Sequence, residues 1–220
     1  MLVLAVDTAT PAVTAGLVEL EQAALHTLAS RVAVDARAHN EVLTPQILAC
    51  LETAGRSRTE LDAVVVGTGP GPFTGLRVGM ATAAAFGDAL GLPVHGVCSL
   101  DAIAADAWRE IPDAAAELLV VTDARRREVY WARYRSAGRV DGPGVCKPND
   151  LDAGEATVIA GSASHVDLFD LPVLPVETPS PAGLVACAAA DLLAGRAPGA
   201  LEPLYLRRPD AVERSYQAVR

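Results

Sequence analysis

A mixed α/β protein in two pseudo-duplicated halves, the second reduced, is predicted from three observations on the 220-residue chain. Over residues 1–100, short apolar runs and alanine-rich periodic stretches follow the order β-β-β-α-β-α-β. A shortened form of that order begins again after residue 100. An aspartate closes the first strand of each half, Asp7 after Leu2–Val6 and Asp123 after Leu118–Thr122.

Each element has its own signal. Leu2–Val6 is a continuous apolar run of strand length, stopped by Asp7-Thr8-Ala9-Thr10 and Pro11. Ala12–Val18 and a strand within Leu25–Val34 follow, close enough in sequence to pair antiparallel. Asn40–Ala54 reads as a helix, with Asn40 as N-cap, Gly55 as stop, and Leu43, Ile47, Leu51 and Ala54 on one face. Pro45 is placed at the edge of its first turn, where proline costs least. Ala63–Val66 is a β-branched strand. Thr74–Leu90 is a helix, alanine-rich from Met80 and closed by Gly91 and Pro93. Val94–Val97 is the last strand of the first half.

In the second half, Leu100–Arg109 is a helix and Leu118–Thr122 a strand. Glu128–Arg135 is a further strand, ended by a turn at Ala137-Gly138. Val158–Ala160 is short and apolar, and Pro181–Ala194 is a helix stopped by Gly195. This order is that of a ribonuclease-H-like or actin-like ATPase fold, divided here into residues 1–100 and a smaller half, 101–220. No Ser/Gly/Pro linker separates the halves, so they are expected to be tightly joined.

Composition narrows the function. At 51 % hydrophobic and 20 % charged residues the chain can bury a sizeable core, and no apolar run reaches bilayer length. The first residues lack the basic region of a signal peptide, and a cytoplasmic protein is expected. A net charge of −9 argues against a protein that grips RNA alone, despite the clusters Arg125-Arg126-Arg127 and Arg207-Arg208. Cys50, Cys98, Cys146 and Cys187 lie far apart and form no zinc or disulfide spacing.

The most informative stretch is Gly67-Thr68-Gly69-Pro70-Gly71-Pro72-Phe73-Thr74-Gly75-Leu76-Arg77-Val78-Gly79. Its spacing fits neither a P-loop, which needs a lysine, nor the dinucleotide Gly-x-Gly-x-x-Gly pattern. A glycine-rich entry to a helix serves equally as a tight structural turn. The string itself closely resembles the signature of the TsaB (YeaZ) family, with Gly69, Gly71, Phe73, Thr74, Gly75 and Arg77 carrying the match. Val121-Thr122-Asp123-Ala124-Arg125-Arg126-Arg127-Glu128-Val129-Tyr130 resembles the family's Asp-Ala-Arg-x-x-Glu-Val-Tyr block. Leu204-Tyr205-Leu206-Arg207 resembles its C-terminal Pro-x-Tyr-Leu-Arg. His39-Asn40-Glu41 matches a His-Ser-Glu type run. Pro72 and Ala9 depart from the usual serines.

That resemblance implies a non-catalytic subunit, working in the synthesis of threonylcarbamoyladenosine at position 37 of tRNA. Its implied partners are a TsaD homologue and the ATPase TsaE, with TsaC upstream. The sequence leaves monomer and homodimer both open for the isolated chain, and tRNA is reached only through the complex. The metal-bearing paralogue TsaD places two histidines four apart at a helix start. The matching positions here are Ser99 and Ile103, so no catalytic residue and no metal are expected. Residual weak nucleotide contact is assigned to Asp7, Thr8 and Asp123, at the partner interface, with no cofactor held tightly. An autonomous actin-like ATPase or small-molecule kinase is the alternative reading.

On the Thr74–Leu90 helix, Gly75, Gly79, Ala83 and Gly87 recur every fourth residue and share one face. Such a flat face admits a second backbone. With His39, Asn40, Leu43 and Ile47 it is assigned to the partner interface, although it would serve as well to pack on the chain's own sheet.

Overall fold

The structure, a computed structural model, describes residues 1–22, 24–34, 39–111 and 116–207. Strands β1 (Leu2–Asp7), β2 (Ala12–Leu20) and β3 (Leu25–Val34) run antiparallel. Strands β4 (Ala63–Gly67) and β5 (Val94–Val97) extend the sheet in parallel beyond β1, giving the order β3-β2-β1-β4-β5. The second sheet contains β6 (Leu118–Asp123), β7 (Val129–Arg135), β8 (Gly138–Cys146) and β9 (Val158–Gly161), in the order β8-β7-β6-β9. It repeats the first plan without its last strand. This is the actin-like ATPase fold in two pseudo-duplicated halves, with Asp7 and Asp123 ending equivalent central strands.

Helices α1 (His39–Ala54) and α2 (Phe73–Leu90) cover one face of the first sheet. Leu4 and Val6 meet Leu43, Ile47, Leu76 and Met80 there. The alternate residues Val3 and Ala5 meet Leu184, Val185 and Ala188 on the other face. Those three belong to helix α5 (Pro181–Leu193), so the C-terminal helix returns to the first sheet. Because β1 is covered on both faces, all six of its residues are buried. That explains why it reads as an unbroken apolar run rather than an alternating one. Helix α3 (Ser99–Ala107) joins the halves. Ala102 packs with the α5 cluster, while Leu100 and Ile103 pack on Leu118 and Val120 of the second sheet. A single helical turn, α4 (Ala163–Val166), covers the outer face of the second sheet near Val121 and Ile159.

Two sequence expectations are corrected here, and one strand is added. Helix α1 starts at His39, so Asn40 lies within the helix instead of capping it. The same shift places Pro45 in the helix interior, where it has no N–H to donate to the Glu41 carbonyl. The side chains of His39 and Asn40 lie outside the described residues, as does Arg208. The added strand is β8, in a stretch where the sequence reading assigned only the turn at Ala137-Gly138. It pairs with β7 through irregular register, and among the described residues no strand lies beyond it. An edge position tolerates proline because its outward N–H has no ladder partner to lose.

The buried His95 on β5 carries a pH prediction. Desolvation lowers its pKa below the usual 6.5. A histidine depressed in the folded state contributes stability above its unfolded pKa. That contribution is lost as pH falls from about 6.5 through the lower folded value. Urea unfolding of wild type and His95→Gln between neutral pH and about pH 5 is expected to show a shallower decline in the variant. Equal slopes would remove His95 as a source of acid sensitivity.

Candidate functional site

Strand β4 ends at Gly67, and the chain then folds back over the end of β1 before entering α2. A Cβ at Gly67 would overlap the Asp7 carboxylate, and one at Gly71 would overlap the Ala9 backbone. Both positions therefore need glycine because two chain segments lie in contact. At Gly69 the backbone is left-handed, φ 98°, and its carbonyl accepts the Ser99 N–H at 2.7 Å. The Thr68 N–H donates to the Val97 carbonyl at 2.8 Å, tying the loop to the end of β5.

Under this loop the β1–β2 turn is sealed. Asp7 is 0 % exposed. Its Oδ2 accepts the Ser99 hydroxyl at 2.5 Å, and its Oδ1 accepts the Ala9 N–H at 3.0 Å. The buried Thr8 Oγ1 donates to the Gly75 carbonyl at 2.6 Å and accepts the Gly79 N–H at 2.9 Å. Nucleotide contact at Asp7 and Thr8 is therefore corrected, since their polar atoms face inward and are hydrogen-bonded to the loop, α2 and α3. Asp123 is only partly buried. It accepts the Arg125 N–H at 2.7 Å and pairs with the Arg125 guanidinium at 3.5 Å, which shapes the β6–β7 turn.

Ser99 and Ile103 do share a face of α3, but the residues there do not fit a metal ion. The Ser99 hydroxyl is committed to Asp7, and Ile103 is fully buried among apolar residues. Among the described residues no three His, Cys, Asp or Glu side chains converge to hold a metal. The four cysteines are free thiols, Cys50 and Cys98 buried and Cys187 exposed.

The small-residue face on α2 is the largest correction. Gly75, Gly79, Ala83 and Gly87 do line one face, but it is buried against the chain itself. A Cβ at Gly79 would overlap the Thr8 hydroxyl, and one at Gly87 would overlap Val94 of β5. Leu43 and Ile47 are likewise core residues. None of these side chains is open to a partner in this fold. The outward faces are formed by other residues, notably Leu48 of α1, 53 % exposed, and Ala81, Ala84, Ala85 and Ala89 of α2.

The remaining signature residues are held by the C-terminal segment. The Leu204 N–H donates to the Thr68 carbonyl at 2.8 Å. The Tyr205 ring packs on Phe73, centroids 4.7 Å apart, and its hydroxyl accepts from Arg77 Nε at 2.8 Å. The Arg77 guanidinium also lies over both rings, at 6.0 and 5.6 Å. Arg207 donates to the Ala124 carbonyl at 2.6 Å and pairs with Glu128 at 3.2 Å. The segment thus ties the signature loop to the second sheet. Tyr205 was missed as a site residue; only its place in the Leu204-Tyr205-Leu206-Arg207 block signalled it.

A glycine loop closed over the central strand of an actin-like half, and strapped by Tyr205 and Arg207, accounts for all three signature blocks together. The family model described as TsaD, tRNA N6-adenosine threonylcarbamoyltransferase, matches residues 27–192. The chain belongs to that family, on its TsaB (YeaZ) branch. A tRNA threonylcarbamoyladenosine biosynthesis protein TsaB from Escherichia coli is 36 % identical over 61 % of this chain and 55 % of its own. An uncharacterized Mycobacterium leprae protein is 58 % identical over 96 % of this chain, which spans 56 % of that protein. The chain thus spans little more than half the length of both. The solved YeaZ from Pseudomonas aeruginosa is 26 % identical with a TM-score of 0.74, covering 93 % of this chain and 99 % of that one.

Proposed function

We propose that the chain is a non-catalytic partner subunit that binds a TsaD homologue and supports transfer of threonylcarbamoyl to adenosine 37 of tRNA. The observation that carries this reading is the sealed Asp7–Ser99 pair. Where a catalytic paralogue would hold a metal and its substrate, this chain has a fully buried hydrogen bond beside a buried isoleucine. Its relatives with printed functions are tRNA threonylcarbamoyladenosine biosynthesis proteins, which gives the process. In this reading TsaE is the ATPase of the complex, and tRNA is bound mainly by surfaces outside this acidic chain. A cytoplasmic location goes with that process. Among the described residues no helix is long and apolar enough to cross a membrane.

The docking surface in this reading is the outward side of α1 and α2, which exposes Leu48, Ala85 and Ala89. Small side chains there let another helix approach closely, the role first assigned to the opposite face of α2. Leu48→Glu and Ala85→Glu should leave the chain folded, because both positions are exposed. They should weaken pairing with the TsaD homologue by at least about tenfold, roughly 1.4 kcal/mol. Sedimentation of purified components reads that loss, with circular dichroism as the folding check. Wild-type affinity in both variants would move the interface elsewhere. ATP turnover by the chain alone at ordinary enzyme rates would instead favour the autonomous-ATPase reading.

A further inference from the structure

The edge of a sheet is a row of backbone N–H and C=O groups that another strand can pair with. The two sheets have four edges, and three are guarded. Along β5, Leu201 lies against Gly96, and the Leu204 N–H donates to the Thr68 carbonyl. Strand β8 carries Pro143 and an irregular register. Beyond β9, Val173 pairs with Ile159 in a segment interrupted by Pro172 and Pro175. The fourth edge is β3, ten residues with no proline, no carboxylate and one arginine. Among the described residues no strand and no backbone hydrogen bond reaches its outer side. We propose that β3 pairs antiparallel with β3 of a second copy of this chain, joining two five-stranded sheets into one.

The side chains along this edge complement themselves. In the β2 ladder Leu25 lies opposite Leu20, Thr27 opposite Val18, Val32 opposite Thr14 and Val34 opposite Ala12. Leu20 and Val18 pack with the α5 cluster, and the Thr14 hydroxyl donates to the Pro179 carbonyl just ahead of α5. All four β3 residues therefore face the α5 side. The bulge at Leu28 is what turns Leu25 and Thr27 onto the same side as the valines. At one end of that side Val32 and Val34 are 48 % and 76 % exposed. At the other end is a cleft of about 410 Å³, lined in part by Leu20, Leu25, Ala189 and Leu193.

A two-fold antiparallel pairing sets Leu25 opposite Val34 of the second copy, and Thr27 opposite Val32. Each valine pair then lies at the mouth of the other copy's cleft, and apolar surface wet in the single chain is covered. Such a contact is isologous, so the same fit is made twice. Arg31 falls opposite Leu28, so like charges do not meet across the strands. An unrelated strand could satisfy the backbone edge, but a second copy supplies the matching valines at both ends. The valines and the cleft are on the face of the sheet opposite α1 and α2. This pairing therefore does not rest on the TsaD reading, and the two contacts are compatible.

Sedimentation velocity of the full chain at micromolar concentration should show a dimer. Val32→Glu with Val34→Glu, both at exposed positions, should raise the dimer Kd at least about tenfold. Circular dichroism checks that this variant is folded. Leu48→Glu, on the helix face, should leave the dimer unchanged. Thr27→Cys with Val32→Cys, placed in a Cys187→Ser background, should give a covalent dimer on oxidation, read on non-reducing gels. Within one chain those two positions are roughly 16 Å apart, too far for a disulfide. The cross-link also tests the contact if the glutamate variant fails to fold. A chain that stays monomeric at every concentration overturns the proposal. So does a dimer indifferent to the valines and lost in Leu48→Glu, or a dimer in which the paired cysteines form no cross-link.

Discussion

Gly79→Leu is expected to lose on the order of 4 kcal/mol of folding stability, before any effect on assembly can be read. The position has no space for a side chain: even a Cβ would overlap the Thr8 hydroxyl. A leucine must push α2 away from the end of β1, and overpacking of this kind costs about 1–3 kcal/mol. Displacement also breaks the buried bonds from Gly79 N–H to Thr8 and from Thr8 to the Gly75 carbonyl. Each buried polar group left unsatisfied costs about 1–3 kcal/mol more. Against a typical domain stability of about 5–15 kcal/mol, the variant should unfold at low denaturant or fail to accumulate. Urea unfolding followed by circular dichroism reads the loss. A variant within about 1 kcal/mol of wild type would show that α2 slides outward cheaply and that this contact is not tight.

Ser99→Ala is expected to cost on the order of 2–3 kcal/mol, because it removes a donor from a carboxylate with no access to water. Asp7 keeps the Ala9 N–H but loses the hydroxyl bound at 2.5 Å. The paired change Ser99→His with Ile103→His, which puts two histidines four apart on one helical face, should destabilise further instead of building a metal centre. Both positions are fully buried, and an imidazole at 103 would enter the apolar cluster of Leu100, Leu118 and Val120. Elemental analysis after gel filtration should find no stoichiometric iron or zinc in wild type or in the double variant. One metal per chain in either would mean that the glycine loop opens over Asp7 in solution and that the Asp7–Ser99 pair is not a permanent seal.

Much of the fold was legible because local signals and tertiary need agree. The run Leu2–Val6 has to be apolar throughout once helices cover both faces of β1. Gly91 had to end α2 because its φ of 67° is left-handed. Strand β8 was not legible, since an edge strand lacks the double burial that makes a strand read as one. The start of α1 was missed by one residue, which was enough to carry Pro45 from the first turn into the helix interior.

The residue types themselves determined the family, the duplicated order of elements, the absence of the histidine pair, and the shared face of Gly75, Gly79, Ala83 and Gly87. Each follows from identity or from periodicity along the chain. Tertiary structure alone decided which way that face points and that Asp7 is closed off. A period of four says which residues lie together, but not whether a sheet or solvent lies opposite them. The opposing groups, Thr8 against Gly75 and Gly79, and Ser99 against Asp7, stand 67 to 92 residues apart. Contacts that distant in sequence exist only once the chain has closed on itself.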